Sequence, residues 1–217
     1  MPSFGDLARA AYCPRQLYYA RRDDRTPPPE ATARKRLAHR YPALRTAGDE
    51  TLRSLPIDLA PDAYRGALDR LAERDEWASL IDPAETEAFL AGRDCRGVAD
   101  KILDGEPPIP ALVSPGSPPD RGVWRPQAVR AVAAAKVLSW EREREIPRAL
   151  VEYPASAVVR EVRLTTRRKA AYREALRTVR SLDGPPPRLR NSGKCGPCEY
   201  RETCGVRTRS LKSLLGL

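Results

Sequence analysis

Behind Ser3, apolar residues Leu7, Ala10, Ala11, Leu17 and Tyr18 recur at helical spacing, which predicts a capped helix that ends in the charged run 21–25 and the proline triplet 27–29. From 30 to about 80 the pattern predicts helices separated by prolines, basic over 31–39 and amphipathic over 64–80. The character then changes at Pro83. Strands are predicted over 85–91 and 96–103, joined by a Gly-Arg-Asp turn, and over 111–114 after a Gly/Pro loop, giving a small antiparallel meander. A helix follows from Gln127 to about 145, entered through Pro126 and apolar nearly all round in its early part, hence buried. Two more strands, 149–153 and 158–164, precede a helix over 167–182 that puts Tyr172, Ala175, Leu176 and Val179 on one face and Lys169, Arg173, Arg177 and Arg180 on another.

A chain of 217 residues has room for one substantial α/β core with appendages. Thirty-nine basic residues against 29 acidic ones give a net charge of +10, which favours a polyanionic partner such as nucleic acid. There is no signal-peptide pattern and no apolar run long enough to span a bilayer, so a cytoplasmic protein without a membrane partner is expected. A GxGxxG or P-loop motif is also absent, leaving no sequence warrant for a nucleotide cofactor. With a single histidine, His39, any histidine-based catalytic triad would have to be built there.

Five cysteines in a reducing compartment point to metal rather than to disulfides. Lys194-Cys-Gly-Pro-Cys-Glu-Tyr-Arg-Glu-Thr-Cys brings Cys195, Cys198 and Cys204 close together, and Gly196-Pro197 allows a tight turn around an ion. Three thiolates leave a four-coordinate site incomplete, and Cys13, in Tyr-Cys-Pro-Arg, is the natural fourth ligand. That would make a clasp between residues 1–29 and 185–217 around a core at 83–182. An iron-sulfur cluster is favoured because no histidine lies near these cysteines; zinc is the alternative. Cys95, by the second strand, reads as packing.

These residues in this order, AAYCPRQLYY, then Gly97-Val-Ala-Asp100, then a helix opening on Gln127, then CGPCEYRETC, resemble the CRISPR-associated exonucleases of the Cas-four type. The resemblance implies a RecB-like restriction-endonuclease-type α/β core, a central mixed sheet flanked by helices, with the chain ends joined by a 4Fe-4S cluster on Cys13, Cys195, Cys198 and Cys204. It further implies metal-dependent hydrolysis of DNA with Mg2+ or Mn2+, and CRISPR integration proteins as partners. On that pattern Asp100 corresponds to the metal-binding aspartate, His39 to an upstream histidine that also binds metal, and Gln127 to the glutamine after the catalytic strand.

The family's Glu-x-Lys has no counterpart, since residues 111–117 read Ala-Leu-Val-Ser-Pro-Gly-Ser, and Ala131 stands where a tyrosine is expected. Three accounts follow: a scaffold that binds DNA or a partner without cutting, a site rescued by migrated groups, or a different register. Lys136, Glu87 and Glu152 are the candidates for rescue. Lys101 follows Asp100 directly and is expected to face the other side of its strand.

Overall fold

The computed structural model describes residues 1–23, 26–189 and 192–204. Its centre is a five-stranded mixed sheet in the order β1 (Glu85–Ala91), β2 (Arg96–Leu103), β3 (Ile109–Val113), β4 (Arg148–Tyr153) and β5 (Val158–Arg163). Neighbouring strands run antiparallel except β3 and β4, which pair in parallel, with Ala111 opposite Leu150 and Val113 opposite Glu152. Only a long crossover can join parallel neighbours, and α8 (Arg125–Glu141) lies in that connection. The predicted meander is β1 to β3, and the long apolar helix is α8.

Helices cover both faces. On one side α1 (Phe4–Tyr12), α2 (Pro14–Ala20), α8 and α9 (Thr166–Arg180) bury Leu7, Leu17, Val132 and Leu176 against Leu90, Leu112, Val151 and Val162. On the other side lie α3 (Pro29–Arg36), a 3-10 turn Leu37–His39, α4 (Tyr41–Arg45), α5 (Asp49–Arg53), α6 (Pro61–Ala72) and α7 (Trp77–Ile81). These bury Leu37, Tyr41, Tyr64, Leu68 and Leu80 against Leu103, Ala111, Val113 and Leu150. Because β3 is covered on both faces, all five of its residues are buried and it reads as a continuous apolar run.

The first predicted helix is in fact two. Ser3 caps α1 as expected, accepting from the Asp6 N–H at 2.9 Å while the Asp6 carboxylate accepts from the Ser3 N–H at 3.2 Å. Cys13 then takes an extended conformation, φ −159° and ψ 117°, ending α1 and starting α2. The cause is Pro14, which disfavours helical backbone in the residue before it and fits the first turn of a new helix. Gly97, three residues before Asp100, has a packing role: a Cβ there would sit 2.4 Å from the Phe4 ring, so glycine lets α1 seat on the sheet.

Beneath the second helical layer lies a sealed ion pair. Lys101 and Glu152 are both 0% exposed, and the Lys101 ammonium donates to Glu152 Oε2 at 3.1 Å and to the carbonyls of Ala38 and Leu80, each at 2.8 Å. The Tyr41 hydroxyl donates to the same carboxylate oxygen at 3.0 Å. Burial pushes the Glu152 carboxyl above its ordinary range, with the Lys101 charge acting against it. Lys101→Met would leave that carboxylate without its cation, an expected loss of about 3–5 kcal/mol. Adding Glu152→Gln removes the stranded charge and is expected to recover part of the loss, as urea denaturation of the single and double variants will read.

Candidate nucleic-acid site and the cysteine clasp

Asp100 sits where β2 changes sides. Ala99 and Ile102 both belong to the core under α8, whereas Lys101 and Leu103 turn to the opposite helical layer, so regular alternation breaks between Ala99 and Lys101. In β1 the pairs Thr86–Lys101 and Ala88–Ala99 bracket Glu87, which faces Asp100 across the strands with φ +51°, a left-handed value uncommon outside glycine. The two carboxylate-bearing positions therefore mark a local irregularity in an otherwise regular ladder. It lies toward the carboxyl end of β3, where Val113 N–H donates to Asp100 Oδ2 at 2.8 Å.

Two cations hold the Asp100 carboxylate. Lys35 of α3 approaches Oδ1 at 2.6 Å and Arg130 of α8 approaches Oδ2 at 3.2 Å, so each helical layer sends one basic side chain to the same acid. The Asp100 side chain is 14% exposed, and β3 with the residue after it offers Leu112 and Ser114, both buried, rather than a second acid. His39 lies in the same neighbourhood. Partial burial and the Lys101 charge lower its pKa below the ordinary value, while Asp100 and Glu87 act in the other direction. Gln127 is one turn before Arg130 on α8, and its buried Oε1 has no hydrogen-bond partner among the described residues.

The other sequence candidates are placed elsewhere. Lys136 is exposed, with its ammonium 5.9 Å from the centroid of Tyr172. Glu152 is committed to the buried pair with Lys101, whose ammonium also donates to the carbonyls of Ala38 and Leu80. Cys95 lies in the turn before β2, fully buried, with its sulfur 3.5 Å from the Tyr172 hydroxyl. Sequence reasoning missed Lys35 and Arg130. The basic character of 31–39 was the available signal, but nothing local says which of its charges turns inward.

A Mg2+ or Mn2+ ion of the kind the resemblance implies does not fit these residues. Such ions take several oxygen ligands, and here one carboxylate is already neutralised by two protein cations.

The N-terminal helices meet the cysteine segment directly. The Tyr12 hydroxyl donates to the Lys194 carbonyl at 2.7 Å, Lys194 Nζ donates back to the Tyr12 carbonyl at 3.0 Å, and Arg15 donates to the Pro186 carbonyl at 2.7 Å. Tyr19 stacks on Tyr200 with ring centroids 5.8 Å apart. Cys13, Cys195, Cys198 and Cys204 line one cavity between these segments, and all four are half-buried. Burial raises the Cys198 thiol pKa, and the neighbouring Cys13 and Cys204 add to the shift. Among the described residues, no group of three or more His, Cys, Asp or Glu side chains is arranged to hold a metal ion as it stands. The donor chemistry nevertheless fits a thiolate-bound metal, with four soft ligands facing a shared space. Residues 190, 191 and 205–217 of the predicted clasp lie outside the described residues.

No protein-family model matches the chain, and neither does any curated protein. A solved structure described as that of SSO0001 is 16% identical, with 95% of this chain and 86% of that one covered and a TM-score of 0.44, a likeness too distant to bear on fold or activity. Among the described residues no helix is long and apolar enough to cross a membrane.

Asp100→Ala would strand the Val113 N–H and leave Lys35 and Arg130 facing each other, an expected loss of about 1–3 kcal/mol in urea denaturation. Asp100→Asn keeps an acceptor for the amide and is expected to lose less. Because His39 is the chain's single histidine, an NMR titration reads it without ambiguity. Its midpoint is expected below the ordinary value of about 6.5. With the folded pKa lowered, the contribution to stability is present above the unfolded pKa and is lost as pH falls through that value to the folded one.

Proposed function

We propose that this protein is a DNA-binding member of the CRISPR-associated, RecB-like exonuclease group in which the hydrolytic site no longer operates and the scaffold serves binding. The observation that carries this reading is the environment of Asp100. In the related nucleases that position shares a divalent cation with a second acid, whereas here Lys35 and Arg130 are its charge partners, and Leu112 on the neighbouring strand and Ser114 just past its end stand where an acid and a lysine are expected. A carboxylate already paired with two basic groups is a poor ligand for another cation, and the basic groups beside it suit contact with a phosphate.

The clasp belongs to the same proposal. Cys13, Cys195, Cys198 and Cys204 would hold a 4Fe-4S cluster, which when bound supplies a covalent tie between the first two helices and the C-terminal segment. The protein's own contribution is to bring the ends together through Tyr12, Arg15 and Tyr19. Such a tie stabilises by restricting the unfolded chain, and it closes nearly the whole length of the sequence. DNA and the CRISPR integration proteins are the partners this reading implies, as a platform and not as substrates for cleavage.

Anaerobically purified protein is expected to be coloured, with visible absorbance that Cys13→Ala abolishes; colourless protein with stoichiometric zinc would replace the cluster with a zinc clasp. Cluster-loaded protein is expected to shift labelled DNA without cutting it in Mg2+ or Mn2+. Cleavage that disappears in both Asp100→Ala and Glu87→Ala would overturn the non-hydrolytic reading and make Glu87 the second acid.

A further inference from the structure

The charged lining of the cysteine cavity is wholly basic among the described residues: Arg15, Arg188, Lys194 and Arg201 line it, without a carboxylate. Lys194 Nζ donates to the Tyr12 carbonyl. Arg15, two residues after Cys13 and in the first turn of α2, is held from two sides. One terminal nitrogen donates to the Pro186 carbonyl at 2.7 Å and the other to the Tyr19 hydroxyl at 3.2 Å. The Tyr19 hydroxyl in turn reaches the carbonyl of Thr203, the residue before Cys204, at 3.5 Å. The guanidinium is thus fixed beside Cys13 in one segment and tied through Tyr19 to the neighbour of Cys204 in the other.

The remaining nitrogen of that group is unused. Arg15 Nε is buried and has no hydrogen-bond acceptor among the described residues. Buried donors are almost always paired, and this one belongs to a side chain that lines the space shared by Cys13, Cys195, Cys198 and Cys204. Thiolate and sulfide sulfurs accept such bonds, and hydrogen bonds to sulfur help to set the reduction potential of an iron-sulfur centre. Adding one electron to such a centre adds one negative charge to a group that its thiolates already leave anionic. A fixed cation that donates an N–H to sulfur therefore favours the reduced form.

We infer that Arg15 is a positioning residue of the clasp, donating its Nε–H to a sulfur of the bound cluster and thereby raising the cluster's reduction potential. The inference rests on the iron-sulfur reading above and uses neither Asp100 nor a nucleic acid. It divides the work of the Tyr-Cys-Pro-Arg run: Cys13 would supply a ligand, Pro14 breaks the helix so that Cys13 is extended, and Arg15 offsets the negative charge. Arginine is the residue this place requires. A planar fork of N–H groups can meet the Pro186 carbonyl, the Tyr19 hydroxyl and a sulfur at once, whereas a lysine supplies the charge from a single flexible point.

The test is a redox titration of the full chain, purified anaerobically with its cluster, following the visible absorbance as a low-potential chemical reductant supplies one electron per cluster. Arg15→Met is expected to lower the midpoint potential by at least a tenfold change in the equilibrium constant, about 59 mV for a one-electron couple. Arg15→Lys, which keeps the charge, is expected to fall between Arg15→Met and wild type. Arg22, exposed on the Tyr18 ring and outside the cavity, supplies the control, and Arg22→Met is expected to leave that constant within about twofold because solvent and salt screen its charge. A second measurement needs no variant to retain its cluster. In wild-type protein whose arginines are isotopically labelled at Nε, pulsed EPR of the reduced cluster is expected to show a coupled nitrogen. Absence of that coupling would overturn the inference, as would an Arg15→Met potential equal to that of wild type or of Arg22→Met. Either result in a coloured protein removes the role of Arg15 and leaves the cluster reading intact. Wild-type protein that holds zinc and no iron would overturn the cluster reading and this inference with it.

Discussion

The ammonium of Lys101, sealed from solvent between the sheet and the second helical layer, is the contact on which the arrangement of the rest depends. A charge cannot stay buried unless its hydrogen-bonding capacity is filled, and all three of its protons are: by the carbonyls of Ala38 and Leu80 and by Glu152. Those acceptors come from the turn after α3, from α7 and from β4, so one side chain on β2 fixes two helical segments and a neighbouring strand. Apolar packing of Leu37, Tyr41 and Leu80 could tolerate sliding, whereas three directed hydrogen bonds to a buried cation cannot.

That fixation reaches Asp100 through its neighbour. Adjacent residues of a strand face opposite sides, and the break in alternation leaves Asp100 at the junction of the two helical layers while Lys101 points into one of them. Holding Ala38 in place holds the end of α3, and α3 carries Lys35 to the carboxylate. Arg130 arrives from the other layer on α8, a helix whose middle, from Val129 to Leu138, is largely buried and so without freedom to rotate. The ion triad at Asp100 is therefore a consequence of packing on both sides of the sheet. Its members are only partly buried, and the energetic weight lies in the sealed pair beneath it.

Much of this is legible in the sequence because the relevant signals are local. Period-two runs bounded by Gly and Pro locate the strands, the β1 and β2 bounds coincide with those predicted, and the apolar run after Pro126 marks α8 as buried. The approach of the first helices to the cysteine segment is legible too, since Cys13 is the sequence's candidate to join the three closely spaced cysteines. What escapes are relations set by tertiary packing. The apolar spacing predicts a continuous helix through Cys13, although Pro14 after it is the one local cue that the helix breaks there. Glu152 reads as a candidate for the cleft because it lies on a strand neighbouring the one that carries Asp100. Nothing in its vicinity along the chain shows that Lys101, 51 residues earlier, would claim it. Lys35 and Arg130 are invisible as partners of Asp100 for the same reason: each is an ordinary basic residue on a helix until the two layers close on the sheet.

The charge pattern around Asp100 also has an internal logic. Two carboxylates side by side repel unless a cation lies between them, so an acid pair and its divalent ion form one electrostatic unit. Removing one acid leaves a lone carboxylate that no longer needs the ion, and in a half-buried setting it is stabilised by whichever protein cations can reach it. On the reading proposed above, Leu112 on the adjacent strand with Ser114 just past its end, and Lys35 and Arg130 at the carboxylate, would be two sides of a single change. With Glu87 opposite Asp100, two acids meet two bases, so the carboxylates are balanced by protein cations rather than by a metal. An acid introduced at position 112 alone would leave Asp100 still paired with Lys35 and Arg130. A metal site would require the acid and the release of both cations together.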